Sequence, residues 1–132
     1  MKILLDIDGV LVTTPIWRRA DVLADGFLKF DDNAARNLAN IISATNASIV
    51  LTTTHRINFS LEQWYILFEV RGISVSDIVK VNKKESIDLL GNRSEEIKMW
   101  VDQFGEAEDY VIIDDDLSIN GLPNYIKNRA VV

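Results

Sequence analysis

Two aspartates, Asp6 and Asp8, lie two positions apart at the end of the apolar stretch "KILLDI", and Gly9 follows them directly. Residues two apart in an extended chain point to the same side, so both carboxylates face one point if the strand continues this far. Two converging negative charges repel each other, and a cation between them or a proton on one of them offsets the repulsion. The pair therefore predicts a metal site or an acid–base pair, and Gly9 suits a close approach of backbone to ligand.

A second acidic group follows the apolar stretch "YVII", with Asp114 first, then Asp115 and Asp116. A hard divalent cation needs several oxygen ligands, and the pair at Asp6 and Asp8 supplies too few alone. We expect Asp114 and Asp115 to complete a Mg²⁺ site together with the first pair. Asp116 is expected to face solvent.

The stretch "LTTTHR" places hydroxyl groups and then basic side chains after the second apolar run of the chain. Thr52 follows the run directly and is expected to donate a hydrogen bond to a phosphoryl oxygen, with Thr53 as the alternative. Arg56 can hold an anion through two hydrogen bonds, although an exposed arginine is the default expectation. His55 is interpreted as a helix-cap or surface group rather than a general base.

A phosphate site rich in carboxylates also needs a fixed cation. Arg93 stands just before Ser94, the expected cap of the helix in "SEEIKMW", and the amide groups of a helix start also favour anions. We take Arg93 as the candidate. Three other cations compete for this role: Lys83, Lys84 and Lys98.

Apolar, β-rich runs alternate with helical patterns, which predicts strands covered on both faces. The runs are "KILLDI", "ASIVLTT", "DIVKV", "YVIIDDD" and "AVV". The helical patterns lie in "DDNAARNLANIISATNA", "SLEQWYILFEVRG" and "SEEIKMWVDQFG". The expected fold is α/β, a Rossmann-like three-layer sandwich with a central, mainly parallel five-stranded sheet. Ligands of such sheets bind beyond the carboxyl ends of the strands, where the polar clusters fall.

The chain has 132 residues, and we expect one domain over residues 1–132. Its net charge of −6 argues against a sequence-independent grip on nucleic acid but not against a phosphate held through a metal. It contains no cysteine, which excludes disulfides and thiolate sites. No stretch approaches the length of a membrane span, so we expect a cytoplasmic protein without a membrane partner.

Residues 13–30 show no clear period and are expected to form a long loop or a short hairpin beside the site. They carry a basic-aromatic group, Trp17 with Arg18 and Arg19. Trp17 is the candidate for contact with a nucleotide base, because bases stack on aromatic side chains.

These motifs, in this order, resemble the haloacid dehalogenase (HAD) superfamily of phosphotransferases. "DIDGVL" matches its first signature, "IVLT" its second, a cation before the last catalytic strand its third, and "VIIDD" its fourth. The combination of "TTTHR", "RSEEIKMW" and "YVIIDDD" is also similar to small HAD domains associated with RNA-repair proteins. The gaps between motifs leave no room for a large cap domain.

The resemblance implies a Mg²⁺-dependent phosphoric monoester hydrolase. Asp6 would be the nucleophile that forms an aspartyl-phosphate, and Asp8 the acid and then the base. Mg²⁺ would bridge Asp6, the backbone carbonyl of Asp8, an acid of the "DDD" group and a phosphoryl oxygen, while Thr52 and Arg93 hold the transferring oxygens. The substrate would be a phosphorylated small molecule or nucleotide, with the end of a nucleic acid also admissible.

Two non-enzymatic alternatives remain at this stage. A receiver-type regulatory domain also combines a parallel sheet, an acidic pocket, Mg²⁺, Thr and Lys, but its phosphoacceptor lies on the third strand and its hydroxyl comes later. The second alternative is a HAD-like module that binds phosphate and Mg²⁺ without turnover.

Overall fold

The computed structural model describes residues 1–12, 21–82, 93–105, 109–114 and 122–131. In these residues strands and helices alternate along the chain. They are β1 (Lys2–Leu5), α1 (Asp32–Thr45), β2 (Ser48–Leu51), a 3₁₀ helix (Thr54–Asn58), α2 (Leu61–Val70), β3 (Ile78–Lys80), α3 (Arg93–Phe104), β4 (Tyr110–Ile113), α4 (Asn124–Lys127) and β5 (Ala130–Val131). Among the helices of these ranges, none is long and apolar enough to cross a membrane.

The five strands form one parallel sheet in the order β3-β2-β1-β4-β5. β1 is central, and its last residue, Leu5, is aligned with Leu51 of β2 and Ile113 of β4. The strand order therefore reverses next to β1, as in doubly wound α/β folds. The predicted fold class is confirmed, and the carboxyl ends of β1 and β4 mark where such a fold binds ligands.

The sheet lies between two layers of helices because successive residues of β1 point to opposite faces. Ile3 and Leu5 belong to a core cluster that also holds the apolar faces of α1 and α2. Leu4 belongs to a second cluster with residues of α3 and α4. All three side chains are fully buried. This arrangement confirms the predicted three-layer sandwich.

Two of the long helices begin directly after a capping residue. Asp31 caps α1, and Ser60 caps α2 through a capping box with Gln63. The expectation that Ser94 caps α3 is wrong: α3 begins at Arg93, so Ser94 lies inside its first turn rather than before it.

The second half of the 13–30 segment forms a hairpin, with an antiparallel bridge between Val22 and Leu28. Arg71, at the end of α2, holds this hairpin in place through hydrogen bonds. Its Nη1 lies 2.5 Å and its Nη2 3.0 Å from the two carboxylate oxygens of Asp25, and its Nε donates to the Leu28 carbonyl at 3.0 Å. The guanidinium also lies 5.0 Å from the centre of the Phe30 ring. One arginine thus holds the hairpin against α2.

We predict that Asp25→Asn destabilises the protein in a pH-dependent way. The hydrogen bond from Arg71 holds the pKa of Asp25 below its ordinary value. The stabilisation is therefore complete above the pKa of the unfolded chain, about 3.9, and is lost as pH falls through the lower folded-state pKa. Urea unfolding at about pH 7 and about pH 3 should show a loss that shrinks at the lower pH. Asp21→Asn, in the same hairpin, is the control, and an equal loss at both pH values would contradict the prediction.

Candidate active site

Two buried carboxylates stand side by side at the carboxyl ends of the central strands. Asp6 follows β1, is 1 % exposed, and donates its backbone N–H to the Ile113 carbonyl at 3.1 Å. Asp114 follows β4 and is 0 % exposed. Because Leu5 and Ile113 are aligned partners in the sheet, the next residue on each strand lies beside the other. The structure thus brings together residues from the first and last predicted acidic groups.

A tight turn, not an extended strand, places the second aspartate of the first pair. β1 ends at Leu5, and the carbonyl of Ile7 accepts hydrogen bonds from the amides of residues 10–12 at 2.8 to 3.2 Å. Gly9 has a φ of 79°, which favours glycine. β1 therefore does not continue as far as Asp8, which was the condition for both carboxylates to face one point. The side chain of Asp8 is 62 % exposed, in contrast to the buried Asp6.

The two threonines after β2 differ in what their hydroxyls do. Thr52 continues beside β1, with its N–H donating to the Leu5 carbonyl at 3.1 Å. Its hydroxyl is buried and has no hydrogen-bond partner within the part of the chain that the structure describes. The Thr53 hydroxyl instead caps the 3₁₀ helix and accepts from the His55 N–H at 3.2 Å. The Thr53 hydroxyl thus has a capping role, and the choice between Thr52 and Thr53 as the donor to a phosphoryl oxygen stays a prediction.

We predict that two matched substitutions differ in their effect on the free energy of unfolding. Thr52→Val removes a buried hydroxyl without breaking a described hydrogen bond, so it should leave the free energy of unfolding unchanged or raise it. Thr53→Val removes a cap and should cost about 1 kcal/mol. Urea unfolding of both variants without ligand provides the measurement. A larger loss for Thr52→Val than for Thr53→Val would contradict the distinction.

Arg56 is fully buried, so the default expectation of an exposed arginine is wrong. Its Nη1 donates to the carbonyls of Thr52 at 3.1 Å and Thr53 at 2.9 Å. Its Nη2 lies 2.5 Å from Oε2 of Glu96 on α3, and Asn82 also donates to that oxygen. Breaking such a buried pair from one side costs about 3–5 kcal/mol, because the remaining charge is left uncompensated. These contacts are with protein groups, and the predicted contact of Arg56 with substrate stays a prediction.

The only histidine lies at the site, which the sequence did not indicate. His55 Nε2 is 3.0 Å from Oδ2 of Asp8, and its ring packs edge-on against Phe27 with ring centres 5.1 Å apart. Its side chain is only 26 % exposed, so the expectation of a surface group misses its main contact. A basic residue directly after a strand-end threonine cluster was the available signal.

The candidate cations are only partly described. α3 begins at Arg93, whose side chain lies outside the described part of the structure. Lys98 lies on the exposed face of α3, 2.6 Å from Asp102, which also accepts from the Tyr125 hydroxyl of α4. The hydrogen bonds from Lys98 and then Tyr125 lower the pKa of Asp102. Several other predicted site residues lie outside the described residues: Trp17, Arg18, Arg19, Lys83, Lys84, Asp115 and Asp116.

The carboxylates in the described part of the site do not form a complete metal site by themselves. Across residues 1–12, 21–82, 93–105, 109–114 and 122–131, no group of three or more His, Cys, Asp or Glu could hold a metal ion. Asp6 and Asp114 are nevertheless neighbouring buried carboxylates, and carboxylate oxygens are the ligands that a hard cation prefers. Asp115, the next predicted ligand, follows directly in the chain.

Taken together, the parallel sheet that reverses its order at β1 and the acidic groups at that point define a doubly wound α/β domain with its site at the carboxyl edge. A model of the family described as "HAD domain in Swiss Army Knife RNA repair proteins" matches residues 2–132. The chain belongs to this family, which confirms both the HAD resemblance and its relation to RNA-repair proteins. The comparisons with curated proteins and with solved structures found no match.

Proposed function

We propose that the chain is a Mg²⁺-dependent phosphatase that hydrolyses phosphoric monoesters through an aspartyl-phosphate on Asp6. Membership of the HAD family supports a phosphatase-like domain. The observation that carries the proposal is the pair of buried carboxylates, Asp6 and Asp114, at the ends of the two central strands. Electrostatic interactions are strong in such a low-dielectric place, where phosphoryl transfer gains most from fixed charges.

The metal would be held by Asp6, Asp114, Asp115 and the backbone carbonyl of Asp8. When bound, Mg²⁺ supplies positive charge that neutralises the phosphoryl oxygens and the acidic groups around them. This ligand set combines two buried carboxylates with a carbonyl on the tight turn after β1. Asp116, one position further along, is not included.

The chemistry assigned to the first pair has two steps. A carboxylate oxygen of Asp6 attacks phosphorus, the bond to the leaving oxygen breaks, and Asp8 gives that oxygen a proton. A water then attacks the aspartyl-phosphate, Asp8 takes its proton, and inorganic phosphate leaves as Asp6 is restored. The contrast in exposure fits these roles, because Asp8 exchanges protons with the leaving group and solvent.

Positioning of the phosphoryl group falls to Thr52 and Arg93. The buried Thr52 hydroxyl would donate to a transferring oxygen, and Arg56 fixes the backbone that carries it. Arg93 would add the positive charge from the start of α3. Positioning and electrostatic stabilisation of this kind are most of what phosphoryl transfer requires from a protein.

We predict that Asp6→Asn abolishes phosphate release while the protein stays folded. The amide keeps the shape of the side chain but is not a nucleophile, so turnover of p-nitrophenyl phosphate with Mg²⁺ should fall by at least about a thousandfold. Asp21→Asn is the matched control, and thermal unfolding of both variants checks the fold. Near-normal turnover by folded Asp6→Asn would refute the proposed function.

For the substrate we propose a nucleotide or the phosphate end of a nucleic acid. The family description refers to RNA-repair proteins. The net charge of −6 is unfavourable for binding along a phosphate backbone, which leaves recognition of an end as the better match. Trp17 is the proposed contact for the terminal base.

We predict a higher kcat/KM on oligonucleotides with a terminal phosphate than on hexose phosphates. Stacking of a base on an aromatic ring is worth about 1–3 kcal/mol, so Trp17→Ala should lower kcat/KM for the oligonucleotide roughly tenfold to a hundredfold. Trp17→Phe keeps an aromatic face and serves as the control. A preference for hexose phosphates that survives Trp17→Ala would contradict this substrate class.

A further inference from the structure

One contact at the site has no part in the two-step chemistry above. His55 Nε2 lies 3.0 Å from Oδ2 of Asp8, joining residues 47 positions apart in the chain. Asp8 is carried on the turn after β1, and its side chain is largely exposed. An exposed carboxyl group of this kind has several rotamers open to it, so a hydrogen bond from a fixed partner restricts it.

The imidazole of His55 is the fixed partner. The backbone N–H of His55 donates to the Thr53 hydroxyl. The next residue, Arg56, is buried and donates to two carbonyls of the same loop. Its ring meets the ring of Phe27 edge-on, at an interplanar angle of 80°. Phe27 is in turn covered by the guanidinium of Arg71, 5.5 Å from its ring centre. Backbone and ring contacts therefore both hold His55 in place.

We propose that His55 is a positioning residue that fixes the carboxyl group of Asp8 for proton transfer, an inference that rests on the proposed function. With its proton on Nε2, His55 donates to Oδ2 and so orients the carboxyl group. The proton of Asp8 moves to the leaving oxygen as the bond from Asp6 to phosphorus forms and the bond to the leaving group breaks. In the second step the carboxylate of Asp8 takes a proton from the attacking water.

Two substitutions separate this role from simple packing. His55→Phe keeps a ring against Phe27 but has no donor. His55→Gln loses the ring but carries an amide N–H that can reach Asp8. A positioning role predicts that the Gln variant is the more active of the two, whereas a packing role predicts the reverse order.

The test compares kinetic constants for two esters whose leaving oxygens differ in basicity. Thymidine 3′-monophosphate releases thymidine through a basic 3′ oxygen that needs a proton from the acid, whereas p-nitrophenyl phosphate releases the stable p-nitrophenolate. We expect His55→Phe to lower kcat for the nucleotide roughly tenfold to a hundredfold, with little change in KM and a much smaller loss on the aryl ester. His55→Gln should recover most of the lost kcat. In the Asp8→Asn background, His55→Phe should cause no further loss.

Three results would overturn the inference: equal losses on the two esters, a Phe variant more active than the Gln variant, or a further loss in the Asp8→Asn background. Asp6→Asn, measured in parallel, separates this inference from the proposed function. Turnover by Asp6→Asn would refute the phosphatase mechanism itself. An inactive Asp6→Asn together with any of the three results would refute only the role of His55. If His55→Phe folds poorly, the losses of His55→Gln on the two esters decide the question; if His55→Gln folds poorly, the comparison in the Asp8→Asn background decides it.

Discussion

β1 bonds to β2 on one side and to β4 on the other, with all three strands parallel. The chain runs from β1 towards β3 in one direction and later to β4 and β5 in the other. Because both crossovers are right-handed, they pass over opposite faces of the sheet, so α1 and α2 lie in one layer and α3 in the other. In doubly wound folds, ligands bind at the carboxyl edge where the strand order reverses. Asp6 and Asp114 meet there because they are the residues that follow the two central strands.

That geometry concentrates groups that are unfavourable for the fold by themselves. Two carboxylates and the Thr52 hydroxyl are buried at one edge, although burial of each polar group costs free energy. The core clusters on the two faces of the sheet are apolar, and the buried pair of Arg56 and Glu96 lies close to the same edge. Costly polar groups that gather at one point are typical of functional sites.

Local patterns were sufficient for most of the fold. All five strands and α1 to α3 were predicted, because apolar runs and capping residues are local features. α4 was missed because it has only four residues and starts after Pro123 without a side-chain cap. The acidic groups were predicted from their place after strands. The contact of His55 with Asp8 and the burial of Arg56 against Glu96 were not, because each joins residues 40 or more positions apart.

The buried pair of Arg56 and Glu96 orients the loop at the site, although it is not the most stable choice for the fold. Removing two charges from water is expensive, and well-packed apolar residues in their place often make a protein more stable. A chain optimised only for heat resistance would therefore tend to lose this pair. The carbonyls of Thr52 and Thr53 would then lose the donor that orients their loop, and the loop would lose its link to α3. In directed evolution towards a higher melting temperature, we therefore expect substitutions at Arg56 and Glu96 to be among the first that raise stability and lower activity.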